Sequence, residues 1–100
     1  MTVNIQYVQM SRSEAMDSYV NNKLEKLGKK YDWVISAEVH FEKENDPSGK
    51  GKICKIELSL PGPRIFATSN ETTFENAVKK TIKDLEIQLK KRKQIFAGHK

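Results

Sequence analysis

Side-chain catalysis needs a base, a nucleophile and an orienting group that converge, and the candidates in this chain do not assemble into such a set. His40 falls on the wet side of an alternating stretch, and His99 stands one residue from the end of the sequence. Cys54 alternates with Ile56 and Leu58, the position of a small core hydrophobe rather than of an ionised nucleophile. No Cys/His cluster has zinc spacing. Ser48-Gly49-Lys50-Gly51-Lys52 lacks the Gly-x4-Gly-Lys-Ser/Thr frame of a phosphate loop and precedes a strand pattern, so it reads as a flexible hairpin. The expectation is a protein that is not an enzyme, with no cofactor, no metal and no small-molecule substrate.

The residues that could do chemistry are lysines, and the chemistry is attachment to a polyanion. From Lys79 to Lys100 there are eight Lys/Arg against two acids, Asp84 and Glu86, a net charge of +6. The whole chain is +5, so residues 1–78 sum to −1 and the positive charge is local. A charge run on a helix is often only a solvated face. Here, however, the acids do not balance the run at i,i+4, since Asp84 and Glu86 stand against eight cations and none follows Glu86. Lys90, Lys91, Arg92 and Lys93 follow one another, and their repulsion weakens an isolated helix. Lysine supplies point charge without reading base edges, so the expected target is a phosphate backbone recognised by shape. A single-strand reader would display aromatics on its sheet, whereas the expected outer face offers His40, Lys55 and Glu57; folded RNA is favoured.

These lysines need elements to hold them. Val3, Ile5 and Tyr7 alternate with polar neighbours over residues 2–10, a half-buried strand. Ser11 with Glu14, or Ser13 one step later, caps a helix whose apolar face is Met16, Tyr19, Val20, Leu24, Leu27 and Tyr31. Gly28 marks where its last turn could fray. Lys23, Lys26, Lys29 and Lys30 lie beside or opposite that face. From Trp33 to Glu44 the period becomes two, with Trp33, Ile35, Ala37, Val39 and Phe41 inward. Residues 45–51 form a hairpin loop by composition. Lys52 to Leu60 turns Cys54, Ile56, Leu58 and Leu60 inward, and Pro61-Gly62-Pro63 stops it. Arg64 to Ser69 is a fourth strand. Thr72 with Glu75 has capping-box spacing ahead of a long helix built on Phe74, Ala77, Val78, Thr81, Ile82, Leu85 and Leu89. Lys79, Lys80, Lys83, Lys90, Lys91, Arg92 and Lys93 decorate it.

One apolar face per strand and one apolar stripe per helix predict an α+β fold of order β-α-β-β-β-α. Its four-stranded sheet carries both helices on one face, an arrangement that also resembles a double-stranded-RNA-binding domain. That packing brings the lysines of the two helices into one patch. Residues 1–96 are expected to form a single domain, with 97–100 a short tail. At 37% hydrophobic and 31% charged, the composition fits one globular domain with a modest core. No apolar run nears the roughly 20 residues of a membrane span. The start lacks the pattern of an export signal and the single Cys54 has no disulfide partner, so a cytoplasmic protein with no membrane partner is expected.

The element order, Lys23-Leu24-x-Lys26-Leu27, the Pro61-Gly62 turn, and Ala77-Val78 followed by Asp84-Leu85-Glu86-x-Gln88-Leu89-Lys90-Lys91 together resemble the short ribosome hibernation-promoting factors. These are also known as ribosome-associated inhibitors, subunit-interface proteins or sigma-factor modulators. The resemblance covers essentially the whole chain and implies binding to small-subunit rRNA in the decoding region, over the messenger and transfer RNA sites, so that translation is blocked. It implies that Lys23, Lys26, Lys29 and Lys91 stand at family basic positions. Two positions depart: Asp84 and Ile87 stand where the family pattern has Lys and Arg, which points to a shifted footprint, weaker rRNA affinity or another docking orientation. The long members' additional pairing domain has no counterpart here, so promotion of ribosome dimers would require a separate dimerisation factor.

The expected function is a translation inhibitor active in stress, partnered by the small ribosomal subunit and attached through Lys23, Lys26, Lys29, Lys30, Lys79, Lys80, Lys83, Lys90, Lys91, Arg92 and Lys93. Two alternatives stand beside it. One is a general double-stranded-RNA module. The other is a protein-interaction module regulating a sigma factor, with Ile87 and Phe96 as exposed apolar anchors.

Overall fold

The computed structural model describes residues 1–98; His99 and Lys100, which include part of the expected tail, lie outside the described residues. The order of elements is β1 (Thr2–Val8), α1 (Glu14–Lys30), β2 (Ser36–Lys43), β3 (Lys52–Ser59), β4 (Ile65–Glu71) and α2 (Phe74–Gly98). The strands form one sheet in the order β1-β2-β3-β4. β1 runs parallel to β2 because α1 returns the chain between them, and the direct connections at residues 44–51 and 60–64 make the other pairs antiparallel.

The register stacks the inward residues of all four strands into three rows. These are Val3, Ala37, Leu58 and Ile65; Ile5, Val39, Ile56 and Ala67; and Tyr7, Phe41, Cys54 and Ser69. Over them lie Val20, Leu24 and Leu27 of α1 and Ala77, Val78, Leu85 and Leu89 of α2, all buried. Both helices therefore cover one face, as the apolar stripes predict. Thr81 sits among these side chains because its hydroxyl donates back to the Ala77 carbonyl at 2.8 Å, which satisfies it inside the helix.

The helices run parallel to each other. Tyr7 at the end of β1 donates to Asp17 Oδ1 (2.9 Å) and to the Ser13 carbonyl (2.8 Å) at the start of α1. Phe41 meets Tyr7 on one side and Phe74, the first residue of α2, on the other. At the opposite end, Tyr31 stacks edge-on against Trp33 and Trp33 against Phe96. Both carboxyl ends thus point the same way, and α2 runs on past the last buried position, Leu89.

Several local features differ from the sequence expectation. The second strand begins at Ser36, not Trp33. Residues 31–34 close a turn through Val34 N–H to the Tyr31 carbonyl, so Val34 is buried and Ile35 is 60% exposed. Ser13 caps α1 by accepting from Met16 N–H. Thr73, not Thr72, caps α2, accepting from Asn76 N–H at 3.1 Å. α1 continues through Gly28 to Lys30, with the Met1 side chain lying where a Cβ at Gly28 would sit. α2 extends to Gly98, two residues into the segment expected to be tail.

The free edge of β4 is covered by α2. Gln88 Nε2 donates to the Phe66 carbonyl at 3.0 Å, and Arg92 donates to the carbonyls of Pro61 and Pro63 at 3.0 and 2.9 Å. Gly62 makes this possible: its φ is +90°, and a Cβ there would lie 2.9 Å from Arg92 Nη1.

Candidate nucleic-acid interface

The lysines of α2 separate into rows by helical spacing. Lys79, Lys83, Glu86, Lys90 and Lys93 recur at intervals of four and three and so share one flank. Lys80, Asp84, Ile87 and Lys91 form the next row around the helix. The first row faces α1: Lys30 Nζ lies 2.9 Å from Glu86 Oε2, a bridge between the helices. On α1, Lys23, Lys26 and Lys30 share a flank by the same spacing.

Between the carboxyl-terminal half of α2 and the end of α1 lies an open groove of about 680 Å³. Lys30, Lys83, Lys90 and Lys93 line it with Glu86, and Tyr31 and Ile87 contribute apolar wall. Four cations against one carboxylate leave +3 from side chains. The carboxyl end of α1 opposes them with roughly half a negative charge. The cations win, and an anion laid along the groove is favoured.

Local contacts shape these cations. Lys30 and Lys93 sit 5.8 and 6.0 Å from the centroid of the Tyr31 ring, one from each helix. Lys23 lies 5.5 Å from the Tyr19 ring. The hydrogen bond to Glu86, and then its charge, raise the Lys30 pKa, so this ammonium stays protonated throughout the physiological range. Among the described residues, Lys83, Lys90 and Lys93 form no salt bridge.

The other expected binding residues are placed differently. Lys29 pairs with Glu25 at 3.6 Å and lines a separate groove beside Met1 and Val3. Lys80 lies 3.6 Å from Glu71, at the end of β4. Arg92 holds the Pro61-Gly62-Pro63 turn with both of its terminal nitrogens. Lys91 belongs to the row that holds Asp84 and Ile87. Spacing in the sequence groups all of these by helix; only the packing separates a groove row from a turn-holding residue.

Sequence reasoning missed Phe66. It is 54% exposed on the outer sheet face, with Glu38, His40, Lys55 and Glu57 around it. Its position out of phase with Ile65 and Ala67 is the signal that could have found it. The surrounding carboxylates make the spot a poor host for phosphate, as Lys55 is paired with Glu42 and Arg64 with Glu57. Cys54 is fully buried and burial pushes its thiol up to about 12, which leaves it protonated and inert.

Residues 3–95 match the family described as Sigma 54 modulation protein / S30EA ribosomal protein. Among solved structures, the fold is similar to a ribosomal subunit interface protein from Coxiella burnetii, with a TM-score of 0.81 and 23% identity over 94% of this chain and 99% of that one. It is also similar to the N-terminal domain of Protein Y from Thermus thermophilus, with a TM-score of 0.78 and 22% identity over 91% and 98% of the two chains. No curated protein matches the sequence. At these identities the structural likeness is one of fold.

Proposed function

This chain belongs to the Sigma 54 modulation protein / S30EA ribosomal protein family, and on that footing we propose that it is a ribosome-associated translation inhibitor that docks on small-subunit rRNA through the groove between α1 and α2. The observation that carries this reading is the convergence of Lys30, Lys83, Lys90 and Lys93 on one groove, with Lys23 and Lys26 on the same flank as Lys30. Attachment is electrostatic and inhibition is by occupancy: the bound domain fills the decoding region, where messenger and transfer RNA would lie. Such a protein works in the cytoplasm, where ribosomes are, in conditions that silence translation. No helix among the described residues is long and apolar enough to cross a membrane. If ribosome dimers form around it, a separate factor joins them.

The groove row takes over the part that the family pattern gives to positions 84 and 87. Asp84 and Ile87 remove two cations from one row, while Lys83, Lys90 and Lys93 supply three on the next, a rotation of the footprint toward α1. The five cations of the groove and its α1 flank that form no salt bridge among the described residues, Lys23, Lys26, Lys83, Lys90 and Lys93, each set against one phosphate, correspond to a slope of log affinity on log salt of about −3.5 to −4.5.

The test is sedimentation of cell extract through a sucrose gradient, with the protein located by immunoblot. It should travel with small subunits and with whole ribosomes, and leave them in high salt. A protein that stays at the top of the gradient at low salt contradicts the proposal. Equal binding to plain RNA duplex would instead favour a general double-stranded-RNA module. Salt-insensitive capture of a sigma factor would favour the protein-interaction reading.

A further inference from the structure

The carboxyl-terminal end of the basic groove carries aromatic surface that neither the core nor the attachment of phosphates requires. α2 continues for nine residues past Leu89, and this overhang includes Ile95, 55% exposed, and Phe96, 41% exposed. Phe96 meets Trp33 edge-on at 5.0 Å between ring centroids, and Trp33, half-buried, meets Tyr31 at 5.9 Å. Tyr31 lines the groove and carries Lys30 and Lys93 over its ring. Tyr31 itself is buried, 3% exposed, so the exposed link between the aromatic and cationic surfaces is Lys93, which lines the groove and stands one helical turn before Phe96 on α2.

An aromatic ring beside unpaired lysines suits one ligand above others. A nucleotide base offers a π-face to the ring while its phosphate meets the ammonium, and base-aromatic stacking tolerates any sequence. A paired base inside a helix cannot do this, because its faces are already stacked. An acidic peptide would satisfy the lysines and leave the ring without a matching flat surface.

We propose that the Trp33–Phe96 surface at the end of the groove holds one unpaired base of the bound RNA, stacked on Phe96, while Lys90 and Lys93 hold the flanking phosphates. This rests on the proposed attachment of RNA in the groove and adds to it a preference: the RNA is bound where a single-stranded or bulged nucleotide leaves a helix, not along plain duplex.

Trp33 is the chain's single tryptophan, so its fluorescence reports on this place without modification. An eight-nucleotide single-stranded RNA titrated into the intact protein should quench Trp33 emission, and a blunt duplex of twelve base pairs should not. With purified small subunits, Phe96→Leu should weaken binding about five-fold or more and leave the salt slope unchanged, because no cation is lost. Phe96→Tyr should restore the affinity. Quenching is read on the unaltered protein, so it does not depend on the variant folding. If the unaltered protein binds small subunits with the expected salt slope but Phe96→Leu binds equally well and Trp33 is silent, the stacking site is overturned and the groove reading stands. If small subunits are not bound at all, the groove reading itself falls. Loss of a protein partner in Phe96→Leu, with RNA binding unmoved, would also overturn the proposal.

Discussion

Among the described residues Glu86 is the one carboxylate that lines the groove, and replacing it by Gln is the most informative single change. The side chain keeps its shape, the groove goes from a net +3 to +4, and Lys30 loses the partner that holds it at 2.9 Å. A phosphate lying in the groove would sit about 7 Å from the position of the Glu86 carboxylate, and repulsion at that range in water is about 0.6 kcal/mol. Removing it should tighten RNA binding about three-fold at low salt. The freed Lys30 adds one phosphate contact, so the slope of log affinity on log salt should steepen by about 0.9. The assay is fluorescence anisotropy of the labelled protein titrated with small subunits, or filter binding, from about 50 to 300 mM salt. Asp84→Asn removes the same charge from the neighbouring row and should change both quantities less. Weaker binding in Glu86→Gln, or an equal gain in Asp84→Asn, would refute the assignment of the groove as the RNA surface.

Lys83→Ala should flatten the salt slope by about one unit, whereas Lys91→Ala, on the other row, should flatten it by clearly less; the same titrations measure both. Thr73→Ala should cost about 1 kcal/mol in urea melts by removing the cap of α2, and Thr72→Ala should cost almost nothing. Gly62→Ala should destabilise by more than 1 kcal/mol through strain at positive φ and displacement of Arg92, with near-normal RNA affinity per folded molecule. For Cys54, the folded thiol ionises at about 12 against an ordinary value of 9.0. Its contribution to stability is therefore full below pH 9, declines as pH rises from 9, and is lost above 12. Urea midpoints should fall over that range and fall less steeply in Cys54→Ala. Tyr7, held up to about 12 first by burial and then by its bond to Asp17, declines in the same way from pH 10.

The sheet and the helices were legible because alternation and helical stripes repeat over many residues. Ala37, Val39 and Phe41, and Leu85 with Leu89, are buried as their spacing requires. What was not legible lies where a single contact overrides a pattern. The alternation that includes Trp33 and Ile35 continues into Ala37 on paper, yet the turn at residues 31–34 takes those two out of the strand. Thr72 and Thr73 are equivalent to a capping rule, and the connection from β4 decides between them. Among the lysines, charge and spacing mark a basic helix but do not say which cations face α1. The packing angle assigns Lys83, Lys90 and Lys93 to a groove, and it gives Arg92 to the carbonyls of Pro61 and Pro63.

The claim that a groove row, not merely a basic helix, attaches this domain to the ribosome is tested most directly by comparing two variants in co-sedimentation with purified small subunits. One is Lys83→Gln with Lys90→Gln and Lys93→Gln; the other is Lys80→Gln with Lys91→Gln. The groove row predicts that the first stays in the supernatant at physiological salt while the second pellets nearly as the unaltered protein does. If the second is lost and the first retained, or if both pellet equally, the RNA surface is not the groove.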